Sequence, residues 1–325
     1  MRSMKIVVIL AVVAMGLPAA ARSQSVSLLR VEMDNDYFDF WQRGTLRTDD
    51  NYTHGTRLDA VIVDVPRWLR GHSEPCSASD SNSPATGSCV AILASVVQQI
   101  FTPRYDVPPE TDRPYAGVLF LDIGRRGMTS RRSQTLSLKL GTTGPASGGK
   151  AVQQFMHNFN KSGRVFHWEN EIAPELVANA TYDARFLLGE SANNAGRFTS
   201  FVARMSGTAG TLESGASGGF ELKVGHRLAH PWLPLADANR KKSRAFLSFA
   251  VDEVWVARSL VLDGNTPETS DLVSRRPLVA QWMAGLGYGL GPFTAEYRAT
   301  SRSREYDGGP GWHRWGTLGI TYLLR

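Results

Sequence analysis

The sequence predicts an all-β fold: a 12-stranded antiparallel transmembrane β-barrel with one short helix in an extracellular loop. Three observations carry that reading. Segments of about ten residues alternate apolar and polar positions along most of the chain, punctuated by Gly, Asp, Asn or Pro. Past residue 21 no apolar run approaches the roughly 20 residues a membrane helix needs. Of the 325 residues only 42% are hydrophobic, thin for a soluble core of that length. A soluble β-sandwich or lipocalin-like barrel would also alternate, but would bury more aliphatic side chains. An apolar face set against a charged, glycine-rich one is what a lipid-facing wall around a polar lumen requires.

The elements follow in chain order. Residues 1–21 read as a signal peptide. Arg2 and Lys5 precede an apolar run from Ile6 to Leu17, and Ala19-Ala20-Ala21 supplies a small-residue cleavage site. Residues 22–325 then form the outer-membrane barrel domain, and two of the six net positive charges leave with the leader. The remaining basicity is mild, and no nucleic acid is among the expected partners.

The alternation predicts strands at 26–35, 52–64, 91–101, 115–126, 132–141, 171–184, 197–208, 211–225, 244–257, 278–290, 292–303 and 314–325. In 132–140, for instance, Leu136, Leu138 and Leu140 share one face and Ser137 and Lys139 the other. An even count lets the sheet close with both termini on the periplasmic side. The odd-to-even connections 36–51, 102–114 and 142–170 then meet on the outer rim. The basic clusters Arg125-Arg126, Arg131-Arg132 and Arg240-Lys241-Lys242 fall on the inner rim, as a solvated or inner-leaflet-facing edge. Cys76 and Cys89 flank a Ser/Asn/Gly/Pro-rich stretch, and in an oxidising compartment they are expected to close a disulfide. The helix is read at 147–160, with Ser147 as N-cap and Val152, Phe155, Met156 and Phe159 at helical spacing.

Two motifs are set aside. Gly144 to Lys150 nearly spells a phosphate-binding loop, but Ala151 stands where a Mg²⁺-binding hydroxyl belongs and no parallel βαβ pattern surrounds it. Gly215-Ala216-Ser217-Gly218-Gly219 matches a nucleophile elbow without the strand-turn-helix setting, so close backbone packing in the wall accounts for it better. Asp34-Asn35-Asp36 with Asp39 offers hard oxygen ligands without the spacing of an EF-hand loop, and a solvated acidic rim is the alternative. His157 stands one turn after Gln153 on the single helix, in a connection assigned to the same rim as Asn35, Asp36 and Thr53. A histidine able to deprotonate water, a nearby cation and an amide or carboxylate fixing the imidazole are the parts of metal-assisted ester hydrolysis without a serine. Six other histidines compete: His54, His72, His167, His226, His230 and His313.

The order and spacing of several short motifs resemble the outer-membrane lipid A 3'-O-deacylase family. These are Asn35-Asp36, Asp50 to Gly55, Ile100 to Pro103, Asp112-Arg113-Pro114-Tyr115-Ala116-Gly117, Leu140-Gly141 with Gly144-Pro145, Val152-Gln153 with His157, Leu262 to Asn265, and Thr300 to Tyr306. The resemblance implies a twelve-stranded barrel with its active site at the outer rim, and Ca²⁺-dependent removal of the 3'-linked acyloxyacyl group of lipid A. It implies His157 as general base, Asn35, Asp36, Thr53 and Gln153 as further catalytic positions, and Asp36 as the principal metal carboxylate. The implied partner is lipid A/lipopolysaccharide of the outer leaflet, with the protein membrane-embedded. Two departures stand out. Lys161-Ser162-Gly163-Arg164 follows the histidine where family members carry an acid, leaving Glu169 or Glu171 as substitutes. Arg104 and Arg113 are the only cations in a loop where the family uses lysine. A non-catalytic barrel with a structural or pore role is the alternative.

Overall fold

The structure, a computed structural model, describes residues 26–40, 50–76, 88–104, 112–160, 167–193, 196–232, 243–266 and 273–324. The signal-peptide reading at 1–21, the 161–164 departure and the 240–242 cluster lie outside the described residues.

Twelve long strands form: β1 (Val26–Asn35), β2 (Asn51–Ile62), β3 (Cys89–Thr102), β4 (Ala116–Met128), β5 (Arg132–Thr143), β6 (Leu176–Asn193), β7 (Gly196–Gly210), β8 (Glu213–Leu228), β9 (Arg244–Ser259), β10 (Leu278–Leu290), β11 (Phe293–Ser303) and β12 (Trp312–Leu323). Each pairs antiparallel with its neighbours in sequence, and β1 also pairs with β12, Arg30 lying opposite Thr321 on one side and Asp59 on the other. The sheet is thereby a closed antiparallel barrel without a free edge, the condition for a β-structure to cross lipid. A two-residue segment, Glu74–Pro75, adds a parallel pairing to the start of β3, and the expected Cys76–Cys89 disulfide is formed beside it.

Strand faces follow the period of two. Leu136, Leu138 and Leu140 on β5 are 57–61% exposed, and apolar residues on the same face of β4, β8, β9 and β12 are exposed as well. Exposed leucine in that density is a lipid-facing wall. The opposite face points into a lumen with a cavity of about 820 Å³. Ion pairs cross it: Arg30 to Glu296 at 2.8 Å, Lys139 to Glu213 at 2.7 Å, and Arg204 to Asp252. Each joins strands that are not neighbours in the sheet, so the interior is laced rather than open. Ser217 lies in β8, and a Cβ on Gly219 would collide with the Val251 carbonyl, so the elbow-like glycines serve wall packing.

Most strand ends shift by one to three residues from the sequence reading, and four larger differences stand out. The helix, α1 (Gly149–Asn160), begins two residues after Ser147, which ends a 3-10 turn, Gly144–Ser147. Ser147 still serves as a cap, its Oγ accepting the Gly149 N–H at 3.2 Å. The sixth strand spans Leu176–Asn193 rather than 171–184, because Glu171 and Ile172 are drawn to Tyr115 by a bridge and a backbone hydrogen bond. One-turn helices at Arg67–Arg70 and Leu260–Asp263 join α1. Finally, the 125–126 basic pair splits: Arg125 is on the lipid side with Leu121 and Ile123, while Arg126 lines the lumen and donates to Thr135.

Candidate active site

The connections between odd and even strands do converge on one rim. Tyr306, between β11 and β12, reaches Asn51 and Asp112, and Asn265, between β9 and β10, reaches Ala173 and Glu175 between α1 and β6.

On this rim β1 ends because Asp36–Phe38 winds into a 3-10 turn that Asn35 caps, its Oδ1 accepting the Tyr37 N–H at 2.8 Å. The Asn35 amide donates through Nδ2 to His54 Nδ1 at 3.4 Å. That contact assigns the ring proton to Nε2, which faces Thr56 Oγ1 at 3.0 Å. The turn buries Asp36 to 5% exposure, and its Oδ2 accepts the Asp50 N–H at 3.2 Å, drawing the start of β2 against the end of β1. Asn51 then adopts φ 61°, a left-handed conformation that asparagine tolerates. Thr53 is buried, its hydroxyl 2.6 Å from that of Thr102 on β3.

The helix occupies the adjoining sector. Left-handed Gly144 and Gly148 turn the chain out of β5 and into α1. Gln98 of β3 donates to the Ser147 carbonyl at 2.7 Å. The start of α1 rests on the start of β4 through two glycines: a Cβ on Gly149 would lie 3.0 Å from the Gly117 Cα and 3.1 Å from the Trp168 ring. Trp168 packs with Tyr115, Ile100 and Val152, and its indole N–H donates to Gln153 Oε1 at 2.6 Å. Gln153 is 2% exposed, and its Nε2 has no hydrogen-bond partner among the described residues. His157 is half-buried and lies one turn on from Gln153, on the same face of α1.

The five predicted residues thus fall into two groups on one rim, Asn35, Asp36 and Thr53 on strand ends and Gln153 and His157 on the helix. Ile100 joins them. It lies opposite His54 in the β2–β3 ladder and packs against Trp168 beneath Gln153.

Sequence reasoning missed Trp168 and a buried network behind the site, and it gave Thr102 and His54, both inside the motif set, no role. The Asp112 carboxylate accepts from the Tyr306 hydroxyl and from the N–H groups of Arg104 and Arg113 at 2.7 and 2.9 Å. Burial pushes that carboxyl up, but these donors outweigh it and hold it below its ordinary value. Arg113 is 1% exposed, its guanidinium 4.6 Å from the Phe101 ring centroid and 3.6 Å from Glu305. Burial lowers the Arg113 pKa and raises that of Tyr306. The Asp112-Arg113 and Tyr306 pieces of the motif set were the available signal. Arg104 pairs with Asp112 at 3.1 Å, so both cations of this loop are engaged in structure.

Of the two acids after His157, Glu169 faces solvent and pairs with His167 at 2.8 Å. Glu171 is half-buried against Gly117, and burial pushes its carboxyl up to about 7. For a hard cation the donor chemistry is suitable: the Asp36 carboxylate is buried, and Asp39, 3% exposed, has an Oδ2 with no hydrogen-bond partner among the described residues. Among the described residues no three His, Cys, Asp or Glu side chains come close enough together to hold a metal by themselves.

A family model described as outer membrane protein LpxR matches residues 6–324. Among solved structures, LpxR from Salmonella typhimurium superposes with a TM-score of 0.72 at 15% identity, covering 92% of this chain and all of that one. The β-domain of the Bordetella autotransporter BrkA covers 92% of this chain at 10% identity with a TM-score of 0.45, and the KdgM porin gives 0.39 at 8% identity over 92% of this chain. No match is found among curated proteins.

Proposed function

The chain belongs to the LpxR family of outer-membrane proteins, and on that premise we propose that it is a lipid A 3'-O-deacylase working at the outer-leaflet rim. The observation that carries the proposal is that α1 and the Asn35–Asp36 turn stand on one rim, linked through Ile100 between His54 and Trp168, on a barrel whose outer wall is lipid-facing. A substrate held in the outer leaflet reaches such a rim with its ester carbonyls at the level of the loops.

In this reading His157 removes a proton from water, and the resulting hydroxide adds to the ester carbonyl of the 3'-linked chain. Collapse breaks the acyl C–O bond, releasing the acyloxyacyl chain as a carboxylate and returning a hydroxyl to the sugar, which takes up a proton. Gln153 Nε2, buried and without a hydrogen-bond partner among the described residues, supplies a donor one turn from the histidine. Trp168 fixes that amide by holding its oxygen. Asn35 fixes the turn that carries Asp36, and Thr53, tied to Thr102, locks the β2 and β3 ends behind it. Asp36, with Asp39 beside it, would hold a Ca²⁺ ion, whose chemistry when bound is to neutralise negative charge developing on the carbonyl oxygen. Arg104, paired with Asp112, and Arg113, buried beside Glu305 and the Phe101 ring, support the loop behind the site.

Mass spectrometry of lipid A from cells expressing the chain tests the proposal. Loss of the mass of a 3'-acyloxyacyl group is expected with the wild type and not with His157→Ala. An unchanged pattern from wild-type protein that is folded in the membrane overturns it.

A further inference from the structure

At the opposite rim the segment after β2 folds back over the outside of the wall. Pro66 starts a one-turn helix, Arg67–Arg70, whose last carbonyls meet Arg125: Nε donates to Leu69 O at 2.6 Å and a terminal nitrogen to Arg70 O at 3.4 Å. Arg125 shares its face of β4 with the exposed Leu121 and Ile123, so the turn sits at the edge of the lipid-facing band. Neighbouring strands mark the same level. On β5 the run Leu140, Leu138, Leu136 gives way to Gln134, which donates to the Tyr182 hydroxyl of β6 at 2.6 Å, and then to exposed Arg132. A belt of amphipathic aromatics belongs at such a level.

Trp68 on this turn is 81% exposed, the most exposed of the large apolar side chains described. The segment that carries it is tied down at both ends. Val63 and Val65 are buried before it, and the Glu74–Pro75 pairing and the Cys76–Cys89 disulfide hold it after. An indole presented outward on a tethered turn, flush with the end of an apolar band, has an apolar body and a polar N–H suited to a headgroup boundary. Arg67 and Arg70 flank it on the turn and Arg125 bonds that turn from β4, against Asp64 and Glu74 at the ends of the segment.

We propose that Arg67–Trp68–Leu69–Arg70 with Arg125 is a docking site for anionic phospholipid of the inner leaflet, the indole lying at the acyl boundary and the guanidiniums on the phosphates. Charge complementarity selects the occupant, because a zwitterionic headgroup offers the same apolar boundary without the net negative charge.

The test uses full-length protein in vesicles of brominated phosphatidylglycerol or brominated phosphatidylcholine. The Trp68 component of fluorescence is isolated by subtracting a Trp68→Phe variant, whose folding is checked by heat-modifiable gel mobility. The expected result is stronger quenching of Trp68 by the phosphatidylglycerol. That preference falls about fivefold for each arginine removed in Arg67→Gln and Arg70→Gln, the equivalent of ~1 kcal/mol per basic residue at a membrane surface, and it survives in Arg67→Lys/Arg70→Lys. Equal quenching by the two lipids overturns the proposal. So does Trp68 emission that aqueous acrylamide quenches and neither lipid affects.

Discussion

Replacing Gly149 with alanine sets helix propensity against packing at the seat of α1. By propensity the change is favourable, since alanine exceeds glycine by about 1 kcal/mol inside a helix and by less at a first turn. Packing opposes it. The new Cβ would stand 3.0 Å from Gly117 Cα and 3.1 Å from the Trp168 ring, whereas carbon atoms rest at roughly 3.5–4.0 Å. Neither neighbour yields readily: one is backbone in β4, and the other is an indole 4% exposed and bonded to Gln153. Overpacking of this kind costs about 1–3 kcal/mol, so packing outweighs propensity and the helix start lifts by roughly the missing 0.5–1 Å. A displacement of that size at a catalytic group lowers turnover by as much as ~100-fold. The measurement is the deacylation rate of purified Gly149→Ala in vesicles containing lipid A, with heat-modifiable mobility as the folding control. A rate equal to wild type, or a helix better protected from hydrogen exchange, would mean that the Gly117–Trp168 contact does not seat the helix.

Three further outcomes follow from the same geometry. Trp168→Phe keeps the apolar packing but strands Gln153 Oε1 in a buried site, at a cost of about 1–3 kcal/mol; faster hydrogen exchange in α1 and slower deacylation are expected, with the barrel intact. Glu171 has its carboxyl pushed up from 4.5 to about 7 by burial, so the folded state prefers the neutral form. Its contribution is most favourable below about pH 4.5 and is lost as pH rises through 7. Exchange protection at the start of α1, corrected for intrinsic rates, therefore falls over that window in the wild type and stays flat in Glu171→Gln. In planar bilayers the ion-paired lumen is expected to give no steady conductance, and a stable open-channel current would favour the pore reading instead.

The barrel was legible because its wall has only two environments, and the period of two records which residue meets lipid and which meets the lumen. Leu136-Ser137-Leu138-Lys139-Leu140 states that choice residue by residue, and β5 spans Arg132–Thr143 as the alternation implies. Even strand parity then carried Asn35, Thr53 and His157 to one rim. Where the reading slipped, a rim contact overrode the local pattern: Glu171 and Ile172 alternate acceptably for a strand but are held by Tyr115, so β6 starts at Leu176. The supporting contacts were not legible for a related reason. Trp168 beneath Gln153, Gly117 against Gly149, and Tyr306 between Asn51 and Asp112 each join separate loops, and which loops meet depends on the closure of the whole barrel rather than on any local pattern.

The central claim is that His157 activates water against the 3'-acyl ester of lipid A. It is tested most directly by incubating purified wild-type and His157→Ala protein, both shown to be folded barrels, with lipid A in defined vesicles and identifying the products by mass spectrometry. Free acyloxyacyl acid and 3'-hydroxyl lipid A are expected from the wild type and neither from the variant. Release of the same acid by His157→Ala at the wild-type rate would contradict it.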